Sequence, residues 1–396
     1  MNIEAITLTM NEQNKIQTIS KWSEGRLELS RTREILNCSR RTLFRWKALL
    51  LQQGPKAFVH GNRGRRSPKK IPDKTVVRIL KLRQDVYENT NDTHFKELLA
   101  LRESIVIGRS TLQRLLRCHG VAPKQKRRPV KFRTRRERKA SFGAMLQLDA
   151  SHHQWFGPMG TRLALHGAID DATNMVWAHF EETETTHGYF ELMRSVLSSH
   201  GIPLSVYTDR HAIFHPVTQK ICAEEERQGK KSMSQFGRAM SELGITLIPA
   251  QSPQAKGRIE RLWHTFQDRL VVEMRLAGIC TKAAAQIFLK GYLARFNKQF
   301  GKNARSVDSL FRKTPSQRIL DDTLCRKEFR VVQNDHTVSY QGRILQIPKP
   351  KGWRTLAKKS VEIWDRSDGV IKIVYQNKII TTYQPPTKEM IFNLAA

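Results

Sequence analysis

Asp149, Asp209 and Glu260 are the side chains in this sequence that raise a chemical question. Asp149 follows the alternating run AMLQL, Asp209 closes PLSVYTD, and Glu260 lies in SPQAKGRIERLWHTFQDRL, residues 252–270. Three carboxylates brought together repel one another unless cations sit between them. Hard divalent ions such as Mg²⁺ take oxygen ligands and are held by a few carboxylates plus substrate phosphate oxygens. Two such ions ~3.5–4 Å apart clamp the attacking and leaving oxygens of an in-line phosphoryl displacement. Metal-assisted phosphodiester chemistry is therefore the reaction class open to these acids.

The acids need elements to hold them. From about residue 143 the pattern is one of strands. AMLQLDAS alternates, with Leu146 and Leu148 on one face and Gln147 and Asp149 on the other. RLALHGAID and NMVWAHFEE give two more strands joined by the turn DDATN. THGYFELMRSVLSSHG reads as a helix, PLSVYTD as a fourth strand, SQFGRAMSELG as a helix and ITLIPA as a fifth strand. Asp149 is expected to end the first strand and Asp209 the fourth. Together these predict a mixed five-stranded α/β sheet, where strand ends and a neighbouring helix commonly form a site. The final helix is expected to start at Ser252 as cap and Pro253 as first residue. Ile259, Leu262, Phe266 and Leu270 make its apolar stripe. Glu260 shares a stripe with Lys256, His264 and Gln267, and Arg258 and Arg261 flank it.

Charge names the partner. The 396 residues carry 69 Lys+Arg against 36 Asp+Glu, a net of +33. Residues 1–142 have 34 basic and 12 acidic side chains, residues 143–272 have 12 and 14, and residues 273–396 have 23 and 10. A near-neutral centre between basic flanks fits a chemical core between parts that grip a polyanion, nucleic acid first. No stretch reaches the ~18 apolar residues of a membrane span, so no membrane partner is expected. The first residues, MNIEAITLTMNEQ, have no signal-peptide pattern. The five cysteines are scattered without CxxC, which suits a reducing cytosol and predicts no structural zinc.

The basic flanks have their own organisation. LSRTREILNCSRRTLFRWKALLLQQG predicts a short helix, a turn at Asn37–Cys38 and a longer helix capped by Ser39. Leu43, Trp46 and Leu50 form its inner stripe, with Arg40, Arg41 and Arg45 outside. This is helix-turn-helix spacing, with arginines where a recognition helix meets the major groove of double-stranded DNA. A second such unit is expected to end in GRSTLQRLLRCHG, where Ser110 caps, Leu112, Leu115 and Leu116 face inward, and Arg109, Arg114 and Arg117 stay outside. KQKRRPVKFRTRRERK, residues 124–139, has ten basic residues in sixteen and reads as an extended basic linker. The predicted domains are 1–66 and 67–122 (helix-turn-helix units), 123–142 (basic linker), 143–275 (α/β catalytic domain), 276–325 (helical connector) and 326–396 (small all-β, SH3-like barrel).

The words around the three acids are specific. LQLDASHHQWF, VYTDRHAIF and PAQSPQAKGRIERLWHTFQDRL resemble the three catalytic blocks of the DDE integrase-type transposases of bacterial insertion sequences, of the group called ISNCY. FVHGNRGRRS and QFGRAMSELGIT resemble the same group, and the likeness covers roughly residues 29–345. The resemblance implies a ribonuclease H-like catalytic fold, Mg²⁺ or Mn²⁺ dependence, Asp149, Asp209 and Glu260 as catalytic triad and metal ligands, and recognition of the element's own terminal inverted repeats. Arg210, Lys256 and Arg258 would then position DNA backbone. Joining two ends to target DNA implies a homodimer or higher assembly in a bacterial cytoplasm. The 50 residues between Asp209 and Glu260 exceed the compact integrase spacing, so an insertion is expected at about 212–233. The alternative is a catalytically silent DNA-binding regulator derived from a transposase; a structure-selective nuclease of the same fold is a third reading.

Other residues read as structural. Asp170 and Asp171 suit a turn. His211 and His215 have i,i+4 spacing without a partner glutamate, in a loop. His152 and His153 follow the first acid and are candidates for touching DNA. Glu224, Glu225 and Glu226 form a solvated run. Trp263 is expected to pack rather than stack on a base.

Overall fold

The computed structural model describes residues 7–63, 70–125, 129, 132, 137–158, 160–215, 233–250, 256–348 and 354–384. The chain divides into two compact units, Met1–Ile79 and Leu80–Ala396.

In the first unit, α1 (Met10–Ser23), α2 (Leu29–Leu36) and α3 (Arg40–Gln53) pack together. A capping box starts α1, with Thr9 and Glu12 satisfying each other's backbone N–H groups. The turn between α2 and α3 has Asn37 in the left-handed region, at φ 44°, and Ser39 caps α3 by accepting from the Thr42 N–H at 3.2 Å. The predicted turn and cap are therefore both found. Ile19 and Leu43 are fully buried, while Trp46 and Leu50 are half-buried. The Lys15 ammonium lies 3.3 Å from the centroid of the Trp46 ring, which explains why that ring stays near the surface. The Gly61–Lys70 linker falls mostly outside the described residues.

Helix α4 (Asp73–Asp85) crosses the division. In the second unit, α5 (Asp92–Arg102) and α6 (Arg109–Cys118) pack as a pair, and Leu98, Leu99, Leu112, Leu115 and Leu116 are buried. Helix α6 starts one residue before the predicted cap. Gly108 is the N-cap and makes no side-chain bond, so Ser110 sits inside the first turn.

The five-stranded mixed sheet expected from the sequence is present. Its strands are β1 (Leu146–His153), β2 (Leu163–Asp170), β3 (Val176–Glu181), β4 (Ser205–Thr208) and β5 (Thr246–Pro249), in the order β3-β2-β1-β4-β5. β1 runs antiparallel to β2 and parallel to β4, and β4 runs parallel to β5. Helices α7 (Thr186–Ser199) and α8 (Gln235–Glu242) cover one face, with Leu146, Leu148, Tyr189, Met193 and Phe236 in the core beneath. Helices α9 (Gly257–Leu276) and α10 (Lys282–Phe300) cover the other, with Leu163, Leu165, Phe266 and Tyr292. The predicted stripe of α9 holds: Ile259, Leu262, Phe266 and Leu270 are all buried, each worth ~2 kcal/mol of transfer free energy. The Ser252–Pro253 start lies outside the described residues, and α9 begins at Gly257. Most of the expected insertion, residues 216–232 with Glu224–Glu226, also lies outside them.

After α11 (Gln317–Thr323) come β6 (Arg326–Val331), β7 (Thr337–Tyr340), β8 (Arg343–Gln346), β9 (Ser360–Asp365), β10 (Ile371–Tyr375) and β11 (Lys378–Tyr383). The described strands pair as a four-stranded sheet, β11-β10-β9-β6, and a separate β7-β8 hairpin over one core containing Val338, Tyr340, Leu356 and Ile363. The all-β character matches the expectation, and the described strands form a sheet and a hairpin that share one core. No helix among the described residues is long and apolar enough to cross a membrane.

Candidate active site

Strand alternation decides which way Asp149 points. Leu146, Leu148 and Ala150 pack toward α7. Gln147, Asp149 and Ser151 therefore face α9, as the period of two requires. Asp149 is the fourth residue of β1 and not its end, because β1 continues to His153 along β2. Asp209 directly follows β4. The parallel register pairs Gln147 with Tyr207, and continuing it by two residues brings Asp149 beside Asp209.

One cation joins the two acids. The Lys256 ammonium lies 2.7 Å from Asp149 Oδ1 and 3.2 Å from Asp209 Oδ2. The lysine side chain is only 10% exposed, against 43% for Asp209. Burial alone would lower the Lys256 pKa, but Asp149 and Asp209 outweigh it and hold the ammonium charged, above its ordinary range. The other oxygen of each acid is held by an N–H donor. The Trp263 indole donates to Asp149 Oδ2 at 2.8 Å, and the His211 backbone N–H donates to Asp209 Oδ1 at 3.0 Å.

The face of α9 explains this arrangement. Lys256 (the N-cap residue), Glu260, Trp263 and Gln267 recur at i, i+4, i+7 and i+11, so they share one face. Lys256 and Trp263 grip Asp149, and Gln267 donates to Ser151 Oγ at 3.1 Å, two residues along β1. Glu260 sits on that face between the two residues that hold Asp149, and it is exposed. Among the described residues, no three His, Cys, Asp or Glu side chains gather as a metal-holding group. The structure thus brings Asp149 and Asp209 together and leaves Glu260 one turn from their shared cation. The far half of α9 is braced by α5: Arg269 pairs with Glu97 at 2.6 Å, and His94 Nε2 lies 3.4 Å from Glu273.

The donor set fits a hard divalent ion. Two carboxylate oxygens face one cationic group there, and oxygen donors of this kind are the ones such an ion takes.

Two relatives align along nearly the whole chain. The transposase for insertion sequence IS1202 of Streptococcus pneumoniae is 34% identical over 410 residues, covering 94% of this chain and 86% of the relative. The chain belongs to the insertion-sequence transposases. The putative transposase y4bF of Sinorhizobium fredii is 30% identical over 372 residues, covering 93% of this transposase and 79% of the relative. No family model matches. Among solved structures, the HTLV-2 integrase catalytic core domain in complex with magnesium (trimeric form) shares 16% identity with a TM-score of 0.29, over 38% of the transposase and 84% of that chain. The simian T-cell lymphotropic virus intasome in complex with PP2A regulatory subunit B56 gamma shares 14% with a TM-score of 0.31, over 71% and 93%.

The basic residues expected to touch DNA divide into two sets. Arg40, Arg41, Arg45, Arg109, Arg114 and Arg210 are exposed in the transposase. Arg117 is also exposed, but it pairs with Asp92 at 2.5 Å and donates to the Val121 carbonyl. Lys256 and Arg258 are turned inward. Arg258 lies 3.4 Å from the fully buried Asp171, which also accepts from Gln147 at 3.0 Å and from the Lys139 N–H at 2.8 Å. An internal acid therefore takes each of these two cations. Asp170 closes the β2–β3 turn by accepting from Gly143, Ala172 and Thr173, as expected. His215 meets Thr208 Oγ1 at 3.3 Å, and His152 meets Glu184 at 3.2 Å. Trp263 packs as expected, and it also donates to Asp149, a bond not expected from the sequence. The available signal was Gly167, inside the β2 run, since a glycine within a strand marks a close approach.

Proposed function

We propose that this transposase binds the terminal inverted repeats of its element, cleaves the DNA at those ends and joins the freed 3′-hydroxyls to target DNA. The observation that carries the reading is the single cation shared by Asp149 and Asp209. Asp149 and Asp209 would hold a divalent ion, Mg²⁺ or Mn²⁺, with Glu260 as the third carboxylate. The chemistry such an ion supplies is neutralisation of developing charge on the phosphoryl oxygens.

The chain's own residues do the rest. Trp263 and the His211 N–H fix the two carboxylates so that one oxygen of each is presented. With a divalent ion in that slot Lys256 would be displaced, and its ammonium could then pair with a DNA phosphate. Hydrolysis places a water oxygen on phosphorus and breaks the P–O3′ bond, leaving a 3′-hydroxyl. That hydroxyl then attacks a target phosphodiester and displaces its 3′-oxygen. One phosphodiester forms for each one broken in the second step, so no nucleotide cofactor is needed. Arg40, Arg41 and Arg45 would read or grip the repeats, with Arg109, Arg114 and Arg210 adding phosphate contacts. Acting on two ends together calls for a homodimer or larger assembly.

The second reading, a silent DNA-binding regulator, draws on the exposed position of Glu260 apart from the two aspartates. A joining assay separates the two. The labelled duplex of the element end, incubated with plasmid and Mg²⁺, should become covalently attached to the plasmid. Tight end binding with no joined product in Mg²⁺ or Mn²⁺ would support the regulator.

A further inference from the structure

Asp149 is held by a side chain that cannot itself take a metal. The Trp263 indole offers one N–H donor and no acceptor. It sits 2.8 Å from Asp149 Oδ2, while Oδ1 faces Lys256 and Asp209. The indole is buried, and its far edge lies over Gly167, the residue directly opposite Asp149 in the β1–β2 register. A Cβ at position 167 would fall 2.3 Å from Trp263 Cη2, so the missing side chain is what lets the ring lie flat enough to reach the acid. The backbone N–H of His211 does the same for Asp209, holding Oδ1 and leaving Oδ2 for the cation.

We infer that Trp263 is a positioning residue that restricts Asp149 to one-oxygen coordination and so favours Mg²⁺ and Mn²⁺ over Ca²⁺. This deepens the reading of Asp149 and Asp209 as metal ligands and rests on it. Mg²⁺ demands near-octahedral geometry with single carboxylate oxygens at short distance, whereas Ca²⁺ accepts carboxylates through one oxygen or both. An oxygen tied to an indole N–H is the one a two-oxygen mode would need. Partners that orient a metal ligand are typically worth 10–100-fold in metal affinity.

The test is calorimetric titration of the full chain with Mg²⁺, Mn²⁺ and Ca²⁺, for wild type, Trp263→Phe, Gly167→Ala and Asp149→Asn. Phe keeps most of the packing and removes the donor. Ala at 167 keeps the donor and displaces the ring, and it carries the test if Trp263→Phe does not fold. Both should weaken Mg²⁺ and Mn²⁺ about tenfold and Ca²⁺ by less than about threefold. A merely structural role would lower all three ions alike, and that result, or no change in any of them, overturns the assignment. Wild type and Asp149→Asn binding Mg²⁺ equally would overturn the metal-ligand reading itself, and the role of Trp263 with it. Asp149→Asn losing Mg²⁺ while both ring variants keep it would remove the positioning role alone.

Discussion

Replacing Lys256 with Met removes the cation between Asp149 and Asp209 while keeping most of the side chain's volume. The ammonium lies 2.7 and 3.2 Å from the two carboxylate oxygens, and its side chain is 10% exposed. Removing one partner of a buried pair costs ~3–5 kcal/mol, because the remaining charge is left uncompensated. Solvent reaches Asp209 and screens part of that cost, so about 2–3 kcal/mol is expected. That corresponds to roughly 3–5 °C in the melting temperature of a unit the size of Leu80–Ala396. The loss should be seen in EDTA. In millimolar Mg²⁺ it should shrink, because an ion that binds the folded state stabilises it by mass action and meets no competing ammonium in the variant. Differential scanning fluorimetry of both chains across a Mg²⁺ series measures this. An equal loss at every Mg²⁺ concentration would refute the idea that Lys256 and a divalent ion compete for one slot.

Three further outcomes are expected. Burial holds the His166 imidazole down at about 4, from an ordinary 6.5, so the unfolded chain binds the proton more readily. The stability this neutral histidine contributes is complete above pH 6.5 and falls by ~3 kcal/mol as pH drops to 4. Chemical denaturation should show the gap between wild type and His166→Gln narrowing over that window; a constant gap would remove the assignment. Replacing Arg40, Arg41 and Arg45 together with Ala should weaken binding to the element ends and flatten the slope of log K against log salt by about 2–3. Gel-shift titrations at several salt concentrations read that slope, and an unchanged slope would place the grip elsewhere. Asp171→Asn should destabilise the chain by ~2–3 kcal/mol through the buried Arg258 left behind, with little change in affinity for DNA. Unchanged stability in urea denaturation would show that Asp171 does not hold Arg258.

Much of the fold was legible because its patterns are local. The alternation of Leu146, Gln147, Leu148 and Asp149 sorts the two faces of β1 and sends Asp149 toward α9. The stripe Ile259, Leu262, Phe266 and Leu270 gives the buried side of α9, and Ser39 gives the start of α3. What local pattern could not supply was the identity of tertiary partners. Arg258 reads as a DNA contact because it lies beside Glu260 in a basic stretch, yet Asp171, a turn residue 87 positions earlier, takes its charge. Lys256 likewise reads as a contact to DNA backbone, and only the β1–β4 register brings two acids to it. Trp263 shows the same limit from the apolar side. Its burial follows from the helix pattern, but its N–H bond depends on Gly167 in another element. The end of β1 was placed too early because Ala150–His153 pair with Leu163–His166 in spite of their polar content.

We propose that Asp149, Asp209 and Glu260 form one metal-dependent site on DNA. Its most direct test is nicking of a supercoiled plasmid carrying the gene's own flanking DNA, in Mg²⁺, by wild type beside Glu260→Gln. Nicks at the element ends are expected with wild type, none with the variant, and end binding retained by both. Equal nicking by both proteins would contradict it, because the exposed glutamate of α9 would then have no part in the chemistry.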